Sequence, residues 1–538
     1  MNTSDRKPGL IKRPGHSGQS RGRTIAPRHR AWRGAAWGAL LALVLILLVT
    51  AYSLFGRTDP VWFVIGTPLF LSVFALAGGL LTLVWHIFKG VPTFYAWVLA
   101  SAVLVLTNLA LTALSVPVGI VTVGLGTLAL ASLVGAGIGA LVRGGWRQLS
   151  LLKRALAVGG LALGLAGLIV GGVWLLDAGS PLTYAPDATA RPYARVEPLD
   201  LPDPSQPGPY SVHTLFYGSG DDRHRPEYQV DVDLVTRPVD GSALVERWSA
   251  LRTAYWGFGP EALPLNGRVW YPEGEGPFPL VLIVHGQHPM EDFSDPGYAY
   301  LGELLASRGS IAVSVDENFL NLSPLVDLLM FQSLIEPDDL RGWLLLEHLQ
   351  LWREWNGKAG SPFYRKVDLD QIALIGHSRG GQAVAVAAAF NDLPYYPDDA
   401  SVRFDYRFGI RSVLAFAPVD GGYLPAEREI VLENVNYLVL HGAHDMDVFT
   451  FQGARQYARV RFTEEGDWFK AGLYIYGANH GQFNTRWGRE DLFEPMMRVF
   501  NLEQLITGEQ QRQIAKVYVS AFLEATLGGE NGYRELFR

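Results

Sequence analysis

A serine lies between two glycines where two apolar segments meet, in the stretch Gly376-His377-Ser378-Arg379-Gly380. The preceding residues, DQIALI, are typical of a buried strand, and the following residues, QAVAVAAAF, are typical of a buried helix. A G-x-S-x-G pattern in this setting indicates a nucleophile elbow, a sharp turn that holds the serine hydroxyl clear of both elements. The pattern predicts nucleophilic attack by Ser378 on an acyl carbon. The alternative is an N-cap serine without a chemical role.

A serine nucleophile needs a general base, and the base needs a carboxylate that fixes its tautomer. His480 follows the apolar segment LYIYG and is the candidate base, the alternative being a surface histidine. Asp445 follows the apolar segment YLVLHG and is the candidate acid. Asp447 and Asp420 are rivals for this role, because each of them also follows a strand-like segment. The chain order serine, aspartate, histidine is the one expected after a nucleophile elbow of this kind.

The tetrahedral intermediate of acyl transfer needs two backbone N–H groups that stabilise its oxyanion. Arg379, directly after the serine, is the first candidate donor, and Gln287 in the loop HGQHP is the second. His288 in the same loop is the second choice for this position. We interpret His285 as a structural residue that orients the loop through hydrogen bonds, rather than as a second base.

Alternating apolar and amphipathic segments predict the elements that position these residues. The predicted strands are 266–272, 279–286, 310–316, 370–378, 411–418, 436–442 and 471–477. The predicted helices are 299–309, 339–355, 379–390 and 509–527. This alternation predicts the α/β class, with a mostly parallel, doubly wound sheet covered by helices on both faces. Catalytic groups of such sheets lie beyond the carboxyl ends of the strands.

The motifs VLIVHG, GHSRGG, LHGAHD and GANHGQF follow one another in this order, each at the end of a predicted strand. Residues from roughly 263 to 527 therefore resemble an α/β-hydrolase. The GHSRGG elbow is similar to that of the dienelactone hydrolase, platelet-activating-factor acetylhydrolase and chlorophyllase-like group. The resemblance implies the α/β-hydrolase fold and a serine carboxyl-ester hydrolase with a triad of Ser378, His480 and Asp445. The same elbow occurs in lipases, peptidases and acyltransferases, so it leaves the substrate open.

The N-terminal part of the chain is of a different kind, because residues 35–176 are almost free of charge. Five apolar stretches are predicted to span a membrane, at about 35–56, 61–88, 93–114, 119–142 and 155–176. Each is near or above the roughly 20 residues that a helix needs to cross a bilayer core. The predicted organisation is a basic cytoplasmic tail (1–34), a transmembrane region (35–176), a proline-rich linker (177–209) and a hydrolase domain (210–538).

The basic residues indicate how the chain is oriented. Lys and Arg are dense in the N-terminal tail and in the loop between the fourth and fifth stretches, whereas the opposite loops hold only Arg57. Because cationic loops stay in the cytoplasm, we expect a multi-pass protein of the cytoplasmic membrane with the hydrolase domain on the extracytoplasmic side. In the fifth stretch, Gly160, Gly164, Gly167 and Gly171 have the spacing of a close helix contact, which makes a homodimer through the spans possible.

Composition excludes several classes of chemistry. The chain has no cysteine, so disulfides, thiolate catalysis and cysteine-ligated metals are excluded. The net charge of −7, with no long basic stripe outside the N-terminal tail, does not indicate a nucleic-acid partner. No cofactor and no metal are expected, since a serine triad needs neither.

Together these features predict a membrane-anchored serine hydrolase that cleaves a small-molecule or lipid carboxyl ester through an acyl-enzyme intermediate. Two alternatives remain open at this point. One is a membrane-associated acyltransferase that uses the same triad, and the other is a non-catalytic binding protein built on a hydrolase scaffold.

Overall fold

The computed structural model describes the chain in several stretches. They are residues 27–52, 92–112, 117–142, 149–181, 198–323, 338–492 and 501–538, together with Asp327 and short fragments at 67–78 and 146–147. Helices occupy the N-terminal part, and a nine-stranded sheet with helices on both faces occupies the rest.

Four helices are described before residue 180. They are α1 (Pro27–Ala51), α2 (Thr93–Thr112), α3 (Pro117–Leu141) and α4 (Leu151–Leu176). By length and composition, three segments could cross a membrane, at 30–51, 119–141 and 151–176, whereas the apolar part of α2 is shorter. Most of the predicted second span, 61–88, lies outside the described residues. The structure thus supports membrane association through three candidate spans and does not establish five.

Glycines allow the N-terminal helices to pack closely within the chain. A Cβ atom at Gly34 of α1 would collide with the carbonyl oxygen of Gly135 in α3. In α4, a Cβ atom at Gly164 would lie 2.7 Å from the carbonyl oxygen of Leu130. Close approach of small residues is a common way for helices to associate in a membrane. Two glycines for which a homodimer contact was predicted, Gly164 and Gly167, therefore face α3 of the same chain. The homodimer stays a prediction.

The described residues form eleven strands, which are numbered in chain order. Nine of them form one sheet, and the other two form a separate pair. The strands of the sheet are β1 (Val212–Gly218), β2 (Leu234–Val235), β3 (Asn266–Pro272), β4 (Phe278–Val284), β5 (Ile311–Asp316), β6 (Val367–His377), β9 (Ile410–Phe416), β10 (Asn436–Gly442) and β11 (Lys470–Ile475). The short pair β7 (Tyr395–Tyr396) and β8 (Asp399–Arg403) forms a separate antiparallel hairpin.

The remaining helices cover the two faces of the sheet. They are α5 (Ala250–Trp256), α6 (Ala299–Ser307), α7 (Asp338–Gly357), α8 (Arg379–Phe390), α9 (Gly453–Arg459) and α10 (Gly508–Thr526). Helix α10 begins at a capping box, in which Thr507 and Gln510 exchange side-chain and backbone hydrogen bonds.

The strand order across the sheet is β11-β10-β9-β6-β4-β5-β3-β1-β2. The six strands from β11 to β5 in this order are parallel, and β3 pairs antiparallel with both β5 and β1. From β4 the chain first adds β5 on one side and then returns to add β6 on the other. This reversal is a topological switch point, and in sheets of this kind ligands bind beyond the carboxyl ends of the strands at such a point.

Strand β4 shows why these segments become strands. Leu280, Leu282 and Val284 point into one hydrophobic core, and Val281 and Ile283 point into the other. All five are fully buried, as expected for a central strand with helices on both faces. Helices α7 and α8 close the first core, and α6 and α10 close the second. The structure therefore confirms the predicted α/β class and the mostly parallel sheet.

The predicted linker, 177–209, is only partly described, since residues 182–197 lie outside the described part of the chain. Its last residues lie on the domain instead of extending away from it. The N–H of Gly208 donates to Ser307 Oγ at 2.9 Å, and the hydroxyl of Tyr533 donates to the carbonyl of Pro202 at 2.7 Å. The following strand, β1, was not predicted from the sequence.

Candidate active site

Ser378 occupies the turn between β6 and α8 in a conformation that is rare for a residue with a side chain. Its φ is +59° and its ψ is −121°. Such a backbone conformation costs on the order of 1–3 kcal/mol and is concentrated at functional sites. The turn is held by the Ser378 N–H, which donates to the carbonyl of Phe416 at 2.9 Å. A Cβ atom at Gly380 would lie 2.6 Å from the carbonyl oxygen of Val284, so only glycine fits there.

The imidazole of His480 is bonded to the carboxylate of Asp445. The distance from His480 Nδ1 to Asp445 Oδ2 is 2.8 Å, and both side chains are almost fully buried. The other carboxylate oxygen of Asp445 accepts the N–H groups of Asp447 at 3.0 Å and of Val448 at 2.6 Å. An aspartate held in this way keeps a proton on Nδ1 and leaves Nε2 available as a base.

The two rival carboxylates have different surroundings. Asp447 Oδ2 lies 3.6 Å from Nε2 of His480, on the opposite side of the ring from Asp445, and its side chain is half-exposed. Asp420 is paired with the guanidinium of Arg459. Of the three candidates, Asp445 is thus the one bonded to Nδ1.

The Nε2 atom of His480 is buried and makes no hydrogen bond with any described residue. The hydrogen bond to the Ser378 hydroxyl that a general base requires is therefore not formed in this conformation. Such bonds often form only when a substrate is bound, and we expect this one to form in that state.

Asp491 joins the loop that holds His480 to the loop that holds Asp445. It accepts the N–H groups of His480 at 2.9 Å, Gly481 at 2.8 Å and Met446 at 3.1 Å. Burial, with the nearby charge of Asp445 adding to it, raises the pKa of Asp491 to about 7. Asp491 was not predicted from the sequence, because it lies far from the end of any predicted strand and belongs to no motif.

Three carboxylates determine the charge of His480. Burial disfavours the imidazolium, but the charge and the hydrogen bond of Asp445, with the charges of Asp447 and Asp491, outweigh it and raise the pKa of His480 to about 10. Because only the neutral imidazole can accept a proton, reactivity that depends on His480 should rise with pH as the ring is deprotonated.

Replacing Asp447 by asparagine is expected to move this rise to lower pH. The change removes one of the negative charges that favour the imidazolium, so the pKa of His480 falls. The measurement is the pH dependence of the rate at which a fluorophosphonate inactivates each protein. Asp420→Asn is the matched control, because Asp420 is paired with Arg459 and should leave the midpoint unchanged. An Asp447→Asn profile identical to that of the wild type would show that Asp447 does not influence His480.

His377, which precedes the serine, fixes the position of the histidine loop. Its Nε2 lies 3.1 Å from the carbonyl oxygen of His480, and its Nδ1 lies 2.9 Å from the hydroxyl of Tyr298. Because a carbonyl can only accept, Nε2 carries the proton and Nδ1 accepts from the tyrosine. Burial and the nearby His480 lower the pKa of His377, which agrees with this neutral tautomer. Neither His377 nor Tyr298 was predicted from the sequence to have such a role.

Trp487, in the segment after β11, packs against the loop that follows β4 and against His377. Its ring stacks on His377 with centroids 4.3 Å apart and on His288 with centroids 5.4 Å apart. The indole N–H donates to Ser294 Oγ at 2.9 Å, which fixes the ring. The indole ring is also nearly parallel to the imidazole of His480, with centroids 5.9 Å apart.

The loop after β4 lies directly against the elbow. A Cβ atom at Gly286 would be 2.6 Å from Ser378 Cβ and 2.9 Å from the backbone nitrogen of Arg379. The backbone of Gln287, the next residue, is therefore brought to the same crevice as the N–H of Arg379. The guanidinium of Arg379 lies 3.7 Å from the buried carboxylate of Asp338, which helps to hold the first turn of α8.

His285 supports this loop from inside the protein. The N–H of Glu317 donates to His285 Nε2 at 3.1 Å, so this nitrogen carries no proton. The proton is then on Nδ1, which donates to the carbonyl of Gly286 at 2.9 Å. Burial, reinforced by the nearby charge of Arg341, lowers the pKa of His285 to about 3. A neutral ring with both nitrogens bonded matches the structural role that was predicted for it.

The residues that the sequence singled out thus meet at one edge of the sheet. Ser378 follows β6, Gln287 follows β4, Asp445 follows β10 and His480 follows β11. No protein-family model matches the chain, and no curated protein matches it significantly. The assignment of function therefore depends on the geometry of this site.

Proposed function

We propose that the chain is a membrane-anchored serine hydrolase with the α/β-hydrolase fold, and that it cleaves carboxyl esters. The observation that carries this proposal is the strained Ser378 turn at the sheet edge where the buried Asp445–His480 pair also lies. A structural N-cap serine would have no need of positive φ, and its side chain makes no capping hydrogen bond here. The fold supports the proposal, since the site lies at the switch point of the parallel sheet.

In the first half of the proposed reaction, the hydroxyl of Ser378 attacks the ester carbonyl carbon. Neutral His480 accepts the hydroxyl proton on Nε2, while Asp445 stabilises the imidazolium through Nδ1. The backbone N–H groups of Arg379 and Gln287 are the proposed donors to the oxyanion. When the tetrahedral intermediate collapses, the carbon–oxygen bond to the alcohol breaks and His480 returns the proton to the leaving alkoxide.

In the second half, water attacks the acyl group that is now bonded to Ser378. His480 takes a proton from this water. When the second tetrahedral intermediate collapses, the bond from the acyl carbon to the Ser378 oxygen breaks, His480 returns the proton to that oxygen, and the carboxylic acid leaves. An acyltransferase would differ only in this half, because an alcohol acceptor would replace water.

The test is a burst experiment with the full-length protein in detergent and p-nitrophenyl acetate as substrate. If an acyl-enzyme forms, p-nitrophenol is expected to be released rapidly in an amount equal to that of the protein, and slower turnover should follow. Ser378→Ala should show no burst. Glycerol added as acceptor distinguishes the two reactions, since formation of an acylglycerol in place of acetate would favour an acyltransferase. A folded wild type without burst or turnover would contradict the proposal.

We also propose that the sheet domain lies outside the cytoplasm, with the N-terminus inside. The support is the concentration of Lys and Arg in the N-terminal tail and in the loop before α4. In intact cells, added protease is expected to cleave the part of the chain after residue 177 without prior lysis. Protection of this part in intact cells, together with cleavage after lysis, would reverse the orientation.

A further inference from the structure

Helix α4 presents apolar side chains to its surroundings along its whole length. Leu151, Leu163, Ile169, Val173 and Leu176 are each more than half exposed. Gly164 is the buried residue of this helix. A helix of 26 residues with this composition is long enough to cross a bilayer, and lipid can cover the side chains that protein does not.

The C-terminal end of α4 is fixed to the sheet domain by two hydrogen bonds. Two residues after the helix ends at Leu176, the carbonyl of Ala178 accepts the N–H of Glu503 at 2.9 Å. The carbonyl of Ser180 accepts from the side-chain amide of Asn501 at 3.0 Å. The point where the chain leaves the candidate membrane span is therefore attached to the segment 501–506.

This segment in turn packs against both loops of the candidate triad. Leu502 and Leu505 form a small buried cluster with Met446, the residue after Asp445. The N–H of Ile506 donates to the carbonyl of Gly477, three residues before His480, at 2.9 Å. These short connections tie the loops of Asp445 and His480 to the residues that follow α4.

Three aromatic side chains are exposed at the same end of the sheet. Phe449, Tyr474 and Tyr476 are 59%, 58% and 54% exposed, and we call them the aromatic rim. Tyr474 and Tyr476 lie at the carboxyl end of the edge strand β11, and Phe449 follows the Asp445 loop. Tyr476 is held edge-on against His444, with ring centroids 5.0 Å apart. Tyrosine rings with an apolar body and a polar tip are favoured at membrane interfaces.

We propose that the aromatic rim lies on the surface of the bilayer that α4 crosses, and that the ester substrate is carried by a lipid of that bilayer. The attachment of α4 fixes which end of the sheet faces the membrane, and the rim supplies the contact. The class of substrate rests on the proposed hydrolase function, whereas the contact of the rim with the bilayer does not. A lipid ester would then reach Ser378 from the interface without leaving the membrane.

The contact can be tested without any activity, because the chain contains no cysteine. Phe449→Cys and Tyr476→Cys are each labelled with a polarity-sensitive fluorophore, and the full chain is placed in nanodiscs of equimolar phosphatidylcholine and phosphatidylglycerol. Both labels are expected to emit at shorter wavelength and to be quenched by lipids spin-labelled near the headgroup. Tyr395→Cys is the matched control, since Tyr395 is 41% exposed and lies on the β7–β8 hairpin. If the labels at positions 449 and 476 show the same emission wavelength and the same quenching as the label at position 395, the proposal is overturned.

The substrate is tested by comparing two esters. One is a fluorescent-acyl phosphatidylcholine in vesicles of the same lipids, and the other is water-soluble p-nitrophenyl acetate. Replacing Phe449 and Tyr476 together by serine is expected to lower the ratio of the vesicle rate to the soluble rate about tenfold, because interfacial apolar contact is lost. Tyr395→Ser should leave this ratio unchanged.

The outcomes separate the two proposals. Labelling of Ser378 by a fluorophosphonate, with hydrolysis of the soluble ester alone, would overturn the lipid substrate while leaving the hydrolase function intact. If Ser378 is not labelled, the hydrolase function fails, and the spin-label quenching still decides whether the rim contacts the bilayer.

Discussion

Alanine at Ser378, or at His480, is expected to lower kcat for hydrolysis of p-nitrophenyl acetate on the order of 10⁶-fold. Each change removes a group without which the other cannot act, since the serine needs a proton acceptor and the histidine needs a nucleophile to activate. The double variant should therefore be no slower than either single variant. The measurement is steady-state hydrolysis by full-length protein in detergent.

Both substitutions remove buried side chains, so folding must be checked beside activity. Thermal unfolding followed by tryptophan fluorescence supplies this control for every variant. A folded Ser378→Ala protein that retains the wild-type rate would contradict the role of the serine. Additive losses in the double variant would show that the two residues do not act as a unit.

Asparagine at Asp445 is expected to lower kcat by about 10⁴-fold while leaving the positions of the side chains almost unchanged. The carboxylate of Asp445 accepts a hydrogen bond from the N–H at His480 Nδ1, with 2.8 Å between the two heavy atoms. An amide can instead donate to Nδ1, which places the ring proton on Nε2 and removes the base. The same ester assay measures the loss.

Asp420→Asn and Asp447→Asn are the matched comparisons for the acid. Asp420 is paired with Arg459, and Asp447 lies beside Nε2, so neither should produce a loss of the size expected for Asp445. A large loss in Asp447→Asn, together with a nearly active Asp445→Asn, would transfer the role of the acid to Asp447. This result would also require a different tautomer of His480.

The central strands could be predicted from the sequence to within three residues at each end, for a physical reason. The carboxyl-terminal parts of strands β4, β6, β9 and β10 are buried on both faces, so each strand contains an apolar run that leads into a loop. Residues at the ends of such runs meet at one edge of the sheet. This is why Ser378, Asp445 and His480 could be singled out together before their geometry was known.

The site residues that could not be predicted from the sequence make contacts with residues that are far from them in the chain. Tyr298 supports His377, and Asp491 joins the loop of Asp445 to the loop of His480, over long separations in the chain. No local pattern reports such a contact. The strand β1 was missed for a similar reason, because it pairs with β3 across a long irregular segment and is exposed on part of its length. Nor could spacing alone choose between Asp445 and Asp447, which lie two residues apart.

The membrane region shows a different limit of sequence reasoning. Hydropathy identifies apolar stretches, and three of them form helices with the length and composition of a span. Hydropathy does not reveal which faces pack together. The glycine spacing of α4 made a homodimer contact possible, whereas Gly164 and Gly167 contact α3 in the same chain.

The role of Ser378 as an activated nucleophile is tested most directly by labelling the full-length protein with a fluorophosphonate, followed by mass spectrometry of its peptides. We expect one covalent adduct, on Ser378, that forms faster as the pH rises and is absent from the Ser378→Ala protein. A folded wild type that remains unlabelled, or an adduct on another serine, would contradict the assignment of Ser378 as an activated nucleophile.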